Sequence, residues 1–409
     1  MYLLYAPEKK FQRLHNVAPI CDEVKFFHNY AYCPKQYYAK IHTAQGFINV
    51  TPAQMKKDRT NRILNSILFI TKGGIGDVMW TMPVIKAIRE KNQRAIIAVS
   101  TEAKSAAVFE QFPYINFCVR NELWSVQNLI RTSDEVYDFG GIATVFKKLM
   151  KMDPIDATFT EAGLPSPKNK KDGRPHIVVT ADEGKKAEAL LRRKGIDPSD
   201  KKIIAIVTEA STPNRNWPMA YIRTLTQMFL NEGHQVIWLS EKENVKNSHS
   251  VTCKCGYEIA FSTTEEDLNL TAECPACHET VIIKKFTTGK GFANFASSTN
   301  IRQAMSIIAL CDLVISPVTA PMVMATSFEI PTVGLFGAFS TKNRTKYYDK
   351  FTAVEGKAKC RPCAEHWTEC KFGNPAPCMR SILPETVFMA GQKLLKQYPR
   401  PVAGKLATE

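Results

Sequence analysis

No run in this chain is apolar for long enough to cross a bilayer. The longest stretch without a charged side chain, Leu313 to Phe328, is interrupted by Pro317 and Pro321 and falls short of the ~20 apolar residues that a spanning helix needs. The opening MYLLYAPEKK has no positive region leading into an apolar core, so no signal peptide is expected. Together these absences predict a cytoplasmic chain without a transmembrane segment. Acidic side chains are also in short supply: 39 Asp and Glu stand against 54 Lys and Arg, a formal charge of +15. Such an excess favours anionic partners, among them nucleotides, phosphorylated glycans, nucleic acid or a peripheral contact with an acidic membrane surface. With 44% hydrophobic and 23% charged residues, the composition is that of an ordinary soluble globular protein.

At 409 residues the chain is too long for one ordinary core, and two domains of roughly 150 to 200 residues are expected. In ILFITKGGIGDVMWTMPVIKAIRE (Ile67 to Glu90), Leu68 to Ile70 read as a buried strand. Gly73, Gly74 and Gly76 allow a tight turn, and apolar residues then recur at helical spacing from Val78. RAIIAVS, INFCV and EVYDFGG follow as strand-like runs, the alternation of parallel βαβ units. The basic, proline-bearing LPSPKNKKDGRPH (Leu164 to His176) reads as a linker, after which KKIIAIV, GHQVIWLS and CDLVIS start a second α/β series. The expected organisation is an accessory segment over 1–62, a first α/β domain over 63–172 and a second over 173–398.

Twelve cysteines in a reducing compartment point to metal ligands or buried thiols before disulfides. Cys253, Cys255, Cys274 and Cys277 form C-x-C-G and, eighteen residues on, C-P-x-C. Two knuckles on two hairpins can close four thiolates around one tetrahedral ion, as in structural zinc sites with no open position. This predicts a zinc ribbon inserted at 247–288. A second group, Cys360, Cys363, Cys370 and Cys378, could enclose zinc or iron or form a reduced, metal-free loop. His366 offers an alternative ligand there.

Asp77, beside the glycine turn, can be a helix cap, a structural hydrogen-bond acceptor or a general base. Taken in order, GGIGDVMWTMPVIKAI, YDFGG, EASTPNRNWP, CDLVISPVTAPMVMATSFEIPTVGLFGA and CMRSILPETV resemble family nine glycosyltransferases, the lipopolysaccharide heptosyltransferase group. The resemblance covers about residues 66 to 390. It implies a GT-B fold of two facing Rossmann-like domains, with nucleotide-sugar donor on the second and acceptor on the first. Asp77 matches the proposed catalytic base. Ser211, Thr212 and Arg215, beside Trp217 and Pro218, match the donor-phosphate contacts, and the loop Thr319, Ala320, Pro321 and Met322 can open a helix whose amide ends attract phosphate. No catalytic metal is implied.

One departure stands out. Where the family usually reads Asp-Ser/Thr-Gly-Pro-Met-His, this chain has Val318-Thr319-Ala320-Pro321-Met322-Val323, so a carboxylate and an imidazole are missing. The leading expectation is an inverting glycosyltransferase whose anionic acceptor is a lipopolysaccharide-type glycan, working in the cytoplasm or at the inner face of the membrane. A second reading is sugar transfer to DNA bases in a virus-infected cell, because net positive charge and a zinc ribbon suit a polyanionic duplex. A third is a catalytically silent nucleic-acid-binding or structural protein that kept the fold.

Overall fold

Strand β5 (Ser66–Ile70) is buried along its whole length, as a continuous apolar run in a parallel sheet should be. A computed structural model describes residues 65–120, 129–130, 133–140, 152–241, 248–255, 257–262, 270–283, 290–363 and 370–399. It also describes the backbone of four short strands, β1 (Tyr2–Tyr5), β2 (Phe26–Phe27), β3 (Tyr30–Cys33) and β4 (Ile48–Asn49). These four form an antiparallel sheet in the order β2-β3-β1-β4. The rest of the expected accessory segment lies outside the described residues, as does His366.

The chain divides into two units, one of residues 1–145 and 158–165, the other of 146–157 and 166–409. In the first unit, β5 leads through the glycine turn into α1 (Ile75–Met79) and α2 (Met82–Lys91). Strand β6 (Ile96–Thr101), the short α3 (Ala103–Ala106), β7 (Phe117–Arg120) and β8 (Glu135–Asp138) follow. All strand pairs are parallel, in the order β7-β6-β5-β8. Leu68, Ile70 and Ala98 pack on one face of this sheet, while the Phe69 ring stacks on Tyr137 at 5.1 Å and on Phe139 at 5.9 Å.

The second unit contains α4 (Pro154–Glu161) only in part. Helix α5 (Ala181–Arg193) follows, started by a reciprocal Thr180–Glu183 capping box, the arrangement that satisfies two otherwise orphaned amides. Next come β9 (Ile203–Val207), α6 (Met219–Asn231) and β10 (Gln235–Leu239). After a long excursion the chain returns through β15 (Phe292–Asn294), α7 (Ile301–Ala309), β16 (Leu313–Pro317), α8 (Ala320–Ser327), β17 (Thr332–Phe336), β18 (Phe351–Glu355) and α9 (Pro384–Gln397). The six strands are parallel, in the order β15-β10-β9-β16-β17-β18. Counted from β9, that is 3-2-1-4-5-6, the doubly wound order of dinucleotide-binding sheets.

The core of this unit gathers Ile204, Ile206, Trp217, Leu225, Phe229, Trp238, Val387 and Leu394 between sheet and helices. Polar ties register the elements around it. Asp312 accepts the Ile203 amide at 2.8 Å, and Arg302 of α7 grips Glu183 of α5 through Nε and Nη2 at 2.7 and 2.6 Å. Arg302 is the leading reason that the Glu183 carboxyl is lowered to about 2.

The excursion between β10 and β15 is two hairpins, β11 (Ser248–Thr252) with β12 (Glu258–Ser262) and β13 (Leu270–Glu273) with β14 (Thr280–Ile283). They fall within the stretch expected to form an inserted ribbon. Strand β11 lies against α6.

Candidate functional site

In an open parallel sheet, ligands enter the crevice outside the carboxyl ends of the strands, at the point where strand order reverses. In the second unit that point lies between β9 and β16. The loop after β9 holds Ser211, Thr212 and Arg215, and the turn after β16 holds Val318 and Thr319. Arg215 ties the two loops together. Its Nη1 donates to the Val318 carbonyl at 2.6 Å, Nε donates to Thr212 Oγ1 at 2.6 Å, and Nη2 donates to Ser211 Oγ. The loop around it is stiffened by a helical turn at Pro213–Arg215 and by an Asn216 side chain that accepts the Ala210 amide at 2.8 Å. Trp217 belongs to the scaffold: its ring is buried and its Nε1 donates to the Ile382 carbonyl at 2.9 Å.

Thr319, Ala320 and Pro321 are half-buried at the start of α8, whereas Met322 is wholly buried. The Met322 amide donates to the Thr319 carbonyl at 3.1 Å. Val318 joins Met322, Phe336, Phe339 and Tyr348 in an apolar cluster. The position that carries a carboxylate in the family's usual motif is thus a packing residue here. Sequence reasoning missed Phe339, in the loop after β17, whose ring centroid lies 5.9 Å from the Arg215 guanidinium carbon and 5.0 Å from that of Arg344. Both cations sit within cation–π range of one ring. No periodicity marks such a loop residue. Ser240, at the end of β10, donates to Glu209 at 3.3 Å, a second link along the same edge.

In the first unit the order reverses between β5 and β8. Gly73 takes φ of +109°, a conformation that favours glycine. A Cβ there would also meet Asp77 Oδ2 at 2.9 Å. The Asp77 carboxylate, half-buried, accepts the Gly74 amide at 2.9 Å. Asp77 therefore caps α1, and its carboxylate is fixed at the turn that opens onto the crevice.

The ribbon's four sulfurs all lie within 4.8 Å of one another. Cys253 and Cys277 approach to 3.4 Å, Cys255 and Cys274 to 3.5 Å. Tetrahedral zinc with bonds of about 2.3 Å calls for sulfur separations of roughly 3.8 Å, so this donor set fits one such ion. Cys253 and Cys274 are buried and the other two exposed. Among the described residues, the second quartet does not converge in this way. Its thiols nevertheless share a neighbourhood: burial pushes the Cys378 thiol up, and nearby Cys363, Cys360 and Cys370 push it further.

Two parallel sheets, each with a polar turn at its point of reversal, define an α/β protein of the GT-B type. The chain belongs to the family described as glycosyltransferase family 9 (heptosyltransferase), whose model matches residues 155–273 and 257–373, together more than half of its length. Over 156 residues it is 30% identical to the lipopolysaccharide core heptosyltransferase OpsX of Haemophilus influenzae, covering 37% of this chain and 42% of that protein. The chain thus spans less than half the length of the curated relatives it matches. Its fold is similar to that of a family 9 glycosyl transferase from Veillonella parvula, with a TM-score of 0.58 at 14% identity over 82% of this chain and 98% of that one. It is also similar to TibC, an iron-containing dodecameric glycosyltransferase of enterotoxigenic E. coli, with a TM-score of 0.53 at 12% identity over 81% of this chain and 80% of that one. Among the described residues no helix is long and apolar enough to cross a membrane.

Proposed function

We propose that the protein is an inverting glycosyltransferase that moves a sugar from a nucleotide-diphosphate sugar to an anionic glycan acceptor. The observation that carries this reading is Arg215, which bridges the two loops at the reversal point of the second sheet. A guanidinium held among hydroxyls and loop amides can bind a diphosphate and stabilise the charge that develops as it leaves. Ser211, Thr212 and the backbone from Thr319 to Met322 complete that set. Asp77, on the first unit, removes the proton from the acceptor hydroxyl as its oxygen attacks the anomeric carbon from the face opposite the leaving diphosphate. Attack from that face inverts the anomeric configuration. The chemistry asks for no catalytic metal.

Val318 and Val323 bear on the donor sugar: without the family's carboxylate and imidazole, the sugar is held through backbone groups and through hydroxyls such as Thr319. A lipopolysaccharide-type acceptor would bring the protein to the inner face of the membrane. The ribbon segment does not favour a duplex acceptor, since residues 241–290 carry eight acidic against six basic side chains. The ribbon's Cys253, Cys255, Cys274 and Cys277 would hold structural zinc. Cys360, Cys363, Cys370 and Cys378 are where a second ion, zinc or iron, would sit.

The test is a panel of nucleotide-sugars, ADP-D-β-D-heptose included, screened first by thermal stabilisation. A donor at a hundred times its dissociation constant adds ~2.7 kcal/mol to stability. The stabilising donor is then incubated with a phosphorylated lipid-linked core glycan. Release of nucleoside diphosphate with a product of inverted anomeric configuration is expected. A protein stabilised by no member of the panel, and releasing no diphosphate, would end the proposal.

A further inference from the structure

The reversal point of the first sheet holds two charged residues, Lys72 and Asp138, that the mechanism above does not use. Strand β5 ends at Ile70 and the chain continues through Thr71 and Lys72 into the glycine turn; β8 ends at Asp138 and continues through Phe139 to Gly140. The two strands are hydrogen-bonded parallel neighbours, with Ile70 opposite Asp138. Both continuations therefore emerge at the carboxyl ends on either side of the crevice.

Lys72 lies across Gly140. A Cβ added to Gly140 would come within 3.0 Å of Lys72 Cδ, 3.4 Å of Lys72 Cε and 2.9 Å of Asp138 Oδ1. The missing side chain at 140 is what leaves room for the lysine stem. Asp138 Oδ1 accepts the Gly140 amide at 2.7 Å, which fixes that carboxylate beside the stem. Lys72 and Asp138 are both exposed, and among the described residues Lys72 forms no ion pair. The stem therefore runs over the Gly140 turn at the strand ends, and the ammonium it carries, a compact charge with three rotatable donors, suits a phosphate.

We propose that Lys72 and Asp138 read the acceptor: the Lys72 ammonium takes a phosphate group on the glycan, and the Asp138 carboxylate accepts one of its hydroxyls. Five residues beyond Lys72, across the same turn, stands Asp77. An anion seated on Lys72 thus brings the glycan to the turn that carries the base. The inference rests on the glycosyltransferase reading and adds to it the residues that recognise the acceptor.

The probes are a phosphorylated lipid-linked core glycan and the same glycan dephosphorylated with hydrogen fluoride, each titrated calorimetrically against the full-length protein. Wild type should bind the phosphorylated probe at least tenfold more tightly. Lys72→Gln should erase that preference, Lys72→Arg should restore part of it, and Gly140→Ala should weaken it by displacing the lysine stem. Nucleotide affinity, which belongs to the second unit, should be the same in all four proteins. A wild type indifferent to the phosphate, or a Lys72→Gln variant that keeps the preference, would overturn this inference while nucleotide-sugar turnover continued to support the enzyme reading. Failure of wild type to bind either glycan or any nucleotide-sugar would overturn both.

Discussion

The two parallel sheets put the same topological feature to different use. At the reversal point of the second sheet, Arg215 is bonded to both flanking loops and the backbone around it is locked by short turns. At the reversal point of the first, the charged groups are exposed or half-buried, and the Lys72 stem lies over Gly140 without an ion pair among the described residues. A site assembled before its ligand arrives forfeits little freedom on binding, whereas one built from exposed side chains orders them on contact. The first arrangement suits a ligand of fixed shape, such as a nucleoside diphosphate. The second suits a ligand whose shape varies and must be accommodated.

The sharpest way to break the comparison is Asp77→Asn. The substitution keeps an oxygen to accept the Gly74 amide but removes the basic carboxylate. Turnover should fall by roughly 10² to 10⁴, with donor affinity and melting temperature nearly unchanged, as steady-state kinetics and thermal unfolding would record. Loss of stability with full turnover would reduce Asp77 to a cap. Next in size is Arg215→Ala, which should weaken donor binding by ~1.5–3 kcal/mol, the range for a hydrogen bond to a charged group. The fold should survive, because the residue sits on a loop. Calorimetry giving an unchanged nucleotide affinity would remove Arg215 from the site.

The smallest effect on either crevice is expected from Cys274→Ser. It should release about one equivalent of zinc, measurable by metal analysis, and loosen the ribbon while the circular dichroism of the α/β core persists. Purified protein without zinc would remove the ribbon's metal.

Much of this architecture was legible in the residue pattern. Apolar runs such as IIAIV and QVIWL became fully buried central strands, because a strand covered on both faces shows no alternation. The ribbon quartet was legible from spacing alone, since knuckle geometry is local. Strand order was not, because Arg215 meets Val318 across 103 positions and nothing in a periodic pattern says which strands become neighbours. Lys72 was equally hidden: YDFGG read as a strand followed by glycines, and the slot that Gly140 leaves exists only once β5 and β8 pair. The N-terminal strands β1 to β4 are two to four residues long, too short for any period to register.

The cysteine-bearing insertion has a consequence for how the chain tolerates change. Strands β10 and β15 are parallel neighbours, so residues 240–291 form the crossover that carries the chain from the carboxyl end of β10 back to the amino end of the adjacent β15. A metal clasping Cys253 to Cys277 would take the residues between them out of that free length and roughly halve it. Because each doubling of a flexible loop costs only about 0.6 kcal/mol of closure entropy, the sheet pays almost nothing for the crossover being long, or for the clasp being absent. An ancestor could have acquired the ribbon, and a descendant could lose it, at a connection where chain length is nearly neutral for folding.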